Sequence, residues 1–118
     1  MGDANRVCGT LARRDATLAD VRLGNVTLTL PHRGLADGPV DVSIRPEAIE
    51  LRSEGDATLR GTIRKAAYLG GLMEYSLDTD IGELFVVSTA VERPFAAGST
   101  VGVTLAGHGV IVIPPASA

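Results

Sequence analysis

Two short basic pairs stand at matching places in the chain, Arg13-Arg14 in LARRDA and Arg64-Lys65 in TIRKAA. Guanidinium and ammonium groups form charge-assisted hydrogen bonds, so a groove collecting all four would take an oxyanion. A sharper feature is Arg45-Pro46-Glu47 in VDVSIRPEAIEL. Pro46 has no N–H for a strand ladder and holds Arg45 extended, so the strand must end or reach an edge there. Arg45 and Glu47 are expected close together on an exposed, rigid corner. An exposed ion pair adds less than about 1 kcal/mol to stability. The corner therefore reads as a contact point for a partner protein.

Chemistry beyond binding finds no constellation. There is no Gly-x-x-x-x-Gly-Lys-Ser/Thr phosphate loop and no Gly-x-Ser-x-Gly elbow. Cys8, His32 and His108 lack the spacing of a nucleophile with its base or of a zinc site. Cys8 is expected as a small buried hydrophobe, and both histidines as exposed turn residues. DTDIGE, 78–83, carries three carboxylates around a glycine but lacks the further oxygen ligands of a calcium loop, and reads as a solvated hairpin tip. No catalytic residue, metal site or cofactor is expected in this chain.

The elements that must position these residues are strands. Apolar residues at 45% against 21% charged place the chain of 118 residues among folded domains. With aromatics at 3% and no Trp, the core must come from Val, Leu, Ile and Ala. The same scarcity, with a net charge of −3, argues against a nucleic-acid binder. A single cysteine rules out an internal disulfide and suits a reducing compartment. No apolar stretch approaches the ~20 residues of a membrane span, and the N-terminus lacks a secretory apolar run, so a cytosolic location is expected.

Apolar residues recur with period two. Val26, Leu28 and Leu30 alternate with threonines; Val40, Val42 and Ile44 alternate with Asp41 and Ser43; Val101, Val103 and Leu105 do the same. Such alternation marks half-buried strands. VIVI, 110–113, is a continuous run that predicts a strand buried on both faces. Turns fall at Gly24-Asn25, Asp37-Gly38-Pro39, Glu54-Gly55-Asp56, Gly70-Gly71, around Gly82, at Gly98 and at Gly107–Gly109. VERPFAAG is the one helical candidate. Many short strands with regular turns predict a compact all-β barrel or sandwich.

The sequence also echoes itself. GTLARR from Gly9 resembles GTIRKA from Gly61, and VDVSIRPEAIEL overlays VGVTLAGHGVIVI, pairing Val40 with Val101, Ile44 with Leu105 and Ile49 with Val110. Two similar halves, about 1–55 and 56–118, predict a doubled small barrel. Each half would bury a marginal core alone, so the halves must pack together or exchange strands.

The order GDANR, GTL, VSIRPEAIEL, LRGTIRKAAYLGGLMEYSL, GELFVV, AAGSTVGVTL and GVIVIP resembles the C-terminal "transport-associated OB" (TOBE) domain of ABC importer ATP-binding subunits of the ferric-iron, spermidine/putrescine and maltose types. The likeness covers nearly the whole chain, and its strongest elements are Arg45-Pro46-Glu47 and Tyr68-Leu69-Gly70. It implies an OB-like β-barrel domain that follows an ATPase domain, works in regulation and subunit contact, and acts at the cytoplasmic side of the inner membrane. The implied partners are that ATPase domain, a second copy in a homodimer and, indirectly, the membrane permease. The alternative is a small oxyanion-binding domain of the molybdate type, with Arg13, Arg14, Arg64 and Lys65 as candidate ligands. Modules of that type open on a Ser-x-Arg-Asn pattern and a following glycine. Ala4-Asn5-Arg6-Val7-Cys8-Gly9 keeps only the Asn and the Gly.

Overall fold

The computed structural model describes residues 4–53, 59–92, 94–106 and 108–115. Among them the regular structure is nearly all strand. In order these are β1 (Asn5–Arg13), β2 (Leu18–Leu23), β3 (Val26–Pro31), β4 (Gly38–Ile44), a 3-10 turn (Pro46–Ala48), β5 (Ile49–Ser53), β6 (Leu59–Tyr68), β7 (Met73–Thr79), β8 (Gly82–Ser88), β9 (Thr100–Leu105) and β10 (Val110–Ile113). VERPFAAG forms no helix among its described residues; the helical turn is the one at Pro46, whose ring pre-sets the φ of a first helical residue. The expected Glu54-Gly55-Asp56 break lies outside the described residues.

Two five-stranded antiparallel sheets form, in the orders β10-β4-β1-β2-β3 and β5-β9-β6-β7-β8. Each curls until its outer strands approach, β10 towards β3 and β5 towards β8. The echo in the sequence is an echo in topology: β1 to β4 in one sheet repeat as β6 to β9 in the other. The last strand of each half has changed sides. β5 pairs with β9, Ile49 opposite Leu105, and β10 pairs with β4, Val110 opposite Ile44. The four residues are equivalents in the two halves, so each strand takes the place that its counterpart would have filled. Ile44, Ile49, Val110 and Val112 are all buried. Fully burying such aliphatic side chains contributes about 1.5–3 kcal/mol each, and here that burial holds each half to the other.

At the equivalent glycines of β1 and β6 the neighbouring strand leaves little room for a side chain. A Cβ at Gly9 would fall 2.6 Å from Leu23 Cδ2 and 2.9 Å from the Arg22 carbonyl oxygen. At Gly61 the nearest atoms, Leu77 Cδ2 and Thr79 Cγ2, would be 3.0 Å away. Between the sheets, Asn5 behaves as an extra strand residue. Its side-chain amide accepts from the Phe85 N–H (2.7 Å) and donates to the Phe85 carbonyl (2.8 Å) and the Ile44 carbonyl (3.2 Å).

Four expectations need correction. Cys8 is exposed, because period two along β1 sends Val7 and Leu11 inward and Cys8 out. VIVI is half-buried, with Ile111 43% exposed, because β10 is an outer strand of its sheet. His32 is buried: its Nδ1 accepts from the Gly34 N–H, which leaves Nε2 to donate to the Asp15 carbonyl. Asp41, on the polar side of the β4 alternation, is also buried; Arg6 Nε reaches its carboxylate at 2.6 Å and Arg6 also donates to the Pro114 carbonyl. A buried carboxylate needs such a charge-assisted partner, since leaving it unpaired costs far more than exposing it.

Candidate interaction surface

The proline corner is the crossing point of the exchange. Arg45 is extended (φ −67°, ψ 140°), and the Ala48 N–H closes the 3-10 turn onto its carbonyl at 2.9 Å. The link from β9 to β10 crosses the same place in the other direction. Gly109 accepts from the Arg45 N–H at 2.9 Å, and the Ala106 N–H donates to Ala48 at 2.8 Å. Gly109 holds φ +80°, and a Cβ there would sit 3.0 Å from the Ala48 Cβ. Only a glycine takes that backbone conformation without strain and also lets the two crossings touch. Pro46 and Ala48 are buried, and the corner packs on β8.

Arg45 and Glu47 are both exposed, as expected, and no ion pair joins them or engages either among the described residues. The turn aims them apart. Arg45 lines a concavity of about 330 Å³ with Ala4, Ser43, Gly109 and the exposed Ile111. Glu47 lines a slot of about 450 Å³ between the outer edges of β5 and β8, with Ile49, Leu51, Val87, Thr89 and Ala90 among its walls. One wall of each concavity is apolar and each has an unspent charge at its rim, which suits contact with a protein better than chemistry on a small substrate.

The two basic pairs stand in different sheets, on β1 with the turn after it and on β6. Arg13 Nε donates to the Leu35 carbonyl; Arg14 pairs with Asp20 at 3.7 Å and Arg64 with Asp78 at 3.4 Å. These pairs are more than half exposed on their basic side and add little to stability. Lys65 makes no ion pair among the described residues. The Asp15 carboxyl titrates below its usual range, because it accepts the backbone N–H groups of Leu18 and Thr17. That bonding shapes the β1–β2 turn. Among the described residues no three His, Cys, Asp or Glu side chains could share a metal ion, and no helix is long and apolar enough to cross a membrane.

Sequence reasoning did not reach the buried Asp41–Arg6 pair, the Asn5 clamp or the slot. Asp41 had the signal of a polar residue amid buried aliphatics. The other two depend on which strands become neighbours.

The paired curled sheets and exchanged outer strands define a doubled β-barrel domain of OB type. Residues 42–113, more than half of the chain, match the TOBE domain family model, and the chain belongs to that family. Along 96% of its length it is 34% identical to an Fe(3+) ions import ATP-binding protein, FbpC, of Rhizobium etli, and 35% identical to one of Rhizobium meliloti. It is 30% identical, over 92% of its length, to the spermidine/putrescine import ATP-binding protein PotA of Ruegeria pomeroyi. The chain spans about a third of the length of these curated relatives. A solved structure of the cytoplasmic molybdate-binding protein ModG, with molybdate bound, shares the fold: TM-score 0.74 at 18% identity, over 94% of this chain and 96% of that one.

Proposed function

We propose that this chain is the regulatory and pairing domain of an importer's ATP-binding subunit, joined in the full protein to an ATPase domain and holding two subunits together. The observation that carries this reading is the span of the likeness: nearly all of this chain, but about a third of relatives that are import ATP-binding proteins. The part of such a protein that handles nucleotide would lie in the remainder, and this chain would contribute contacts and no catalysis or cofactor. Tying two subunits together raises the effective concentration of their ATPase domains for each other. The site of action is the cytoplasmic side of the inner membrane, with the permease as an indirect partner. Light scattering of this chain at tens of micromolar tests the pairing. Twice the single-chain mass is expected, and a monomer at every concentration overturns it.

A second reading is a small-oxyanion binder. It is favoured by the molybdate held in a protein of the same fold and by Arg45, unpaired among the described residues, beside Ser43 in one concavity, with Arg13, Arg14, Arg64 and Lys65 as further candidate ligands. Calorimetric titration with molybdate, sulfate and phosphate decides it, and silence with all three removes it.

A further inference from the structure

The two barrels differ at one rim. In the first sheet the gap between β3 and β10 is bridged by Arg33, whose guanidinium donates to the Val112 carbonyl at 3.4 Å from a left-handed backbone (φ +54°). The hairpins match with Leu23 opposite Val26 in one half and Thr79 opposite Gly82 in the other, so Thr89 stands where Arg33 does. A threonine is too short to make that bridge. The equivalent gap, between β8 and β5, is the open slot of about 450 Å³ with Leu51 and Val87 in its walls and Glu47 at its rim.

Near the β8 wall of this slot stands an apolar prong. The β6–β7 hairpin closes through Leu69 N–H to Leu72 carbonyl (2.8 Å) and Gly71 N–H to Leu69 carbonyl (3.0 Å), with Gly70 at φ +79°. Tyr68 and Leu69, at its tip, are 64% and 53% exposed, the most exposed large apolar side chains among the described residues. Adjacent exposed apolar residues of this size mark a contact surface. Tyr68 pairs with Met73 and Met73 with Ser88, so two strand spacings, about 10 Å, separate the tip's base from the end of β8 at the slot. Charge favours the same contact: Lys65, three residues from Tyr68, is unpaired among the described residues, and the slot carries the unpaired Glu47 beside a Glu50–Arg52 pair that balances itself at 3.7 Å.

We propose that the Tyr68–Leu69 tip of one copy seats in the β5–β8 slot of a second copy, and reciprocally. The inference rests on the pairing reading above and names its surface. Because the prong's base lies about 10 Å from the β8 wall of the slot, a two-fold axis between them satisfies both contacts and closes the assembly as a dimer; on opposite sides of the molecule the same contact would run on into a filament. β10 has less edge to offer, since the Val112 carbonyl is already taken by Arg33.

Sedimentation of the chain and two surface variants tests this. Tyr68→Ser/Leu69→Ser blunts the prong and Ala90→Arg fills the slot; all three positions are exposed, and circular dichroism checks that each variant folds. Each variant is expected to raise the dimer dissociation constant at least about tenfold, as truncating an anchoring aromatic does. An equimolar mixture of the two, which retains one whole prong and one whole slot, is expected to recover part of the association. A dimer of native strength in either variant overturns this seating and leaves pairing intact. A native chain that is always monomeric overturns pairing itself, and this seating with it.

Discussion

Gly9 and Gly61 occupy equivalent places in two barrels of one chain, so alanine at each compares two packings in the same molecule. Neither glycine has a left-handed φ, so alanine meets no backbone strain at either. What differs is the neighbourhood. At Gly9 the new methyl would sit 2.9 Å from the Arg22 carbonyl oxygen, a ladder atom that cannot retreat, and 2.6 Å from Leu23 Cδ2, whose side chain is fully buried. At Gly61 the nearest backbone atom, the Asp78 oxygen, stands at 3.3 Å, and the two nearest side-chain carbons at 3.0 Å. Overpacking of the first kind costs about 1–3 kcal/mol, while replacing glycine lowers unfolded-state entropy by the equivalent of about 0.4–1 kcal/mol. Gly9→Ala should therefore lose about 1–2 kcal/mol net, and Gly61→Ala should lie within about 1 kcal/mol of the parent. Urea unfolding followed by far-ultraviolet circular dichroism reads both from the midpoint at constant slope. A Gly9→Ala protein as stable as the parent, or one more stable than Gly61→Ala, refutes the close approach of β1 to β2.

Asn5→Ala strips the Phe85 N–H and carbonyl of their partner between the sheets and should cost about 1–3 kcal/mol; Asn5→Asp keeps the acceptor but not the donor and should not restore the parent midpoint. For Asp15 the folded carboxyl titrates below its unfolded value of about 3.8, so its contribution is present above that pH and fades as pH falls through the lower, folded value. The gap in thermal midpoint between the parent and Asp15→Ala should be constant above about pH 5 and shrink below about pH 4. A gap that widens in acid refutes the turn's dependence on the carboxylate.

Much of the architecture was legible because strands announce themselves locally. The alternations at Val26–Leu30, Val40–Ile44 and Val101–Leu105 became β3, β4 and β9, and the turns at Gly24-Asn25 and Gly70-Gly71 join neighbouring strands. The turn around Gly82 formed as well: Asp80-Ile81 is its bend, and Gly82 closes it and opens β8 at φ +113°. Burial was harder to read than period. Asp41 and His32 are polar by type and buried by position, because Arg6 and the Asp15 carbonyl come from other parts of the chain to meet them. The corner at Arg45-Pro46-Glu47 was visible as a place where a strand must stop; that its two charges face different concavities was not.

The sequence by itself determined the strand class, the doubling and the need for each half to lean on the other, since period-two burial and a core of aliphatics follow from residue order alone. Only the tertiary structure decided that β5 and β10 trade places. Kept at home, Ile49 would face Ile44 and Val110 would face Leu105; exchanged, Ile49 faces Leu105 and Val110 faces Ile44. The side-chain pairs are of equal kind either way, so pattern cannot choose between them. The choice falls to the corner, where an extended Arg45, the ring of Pro46 and the Gly109 crossing turn the chain away from its own sheet.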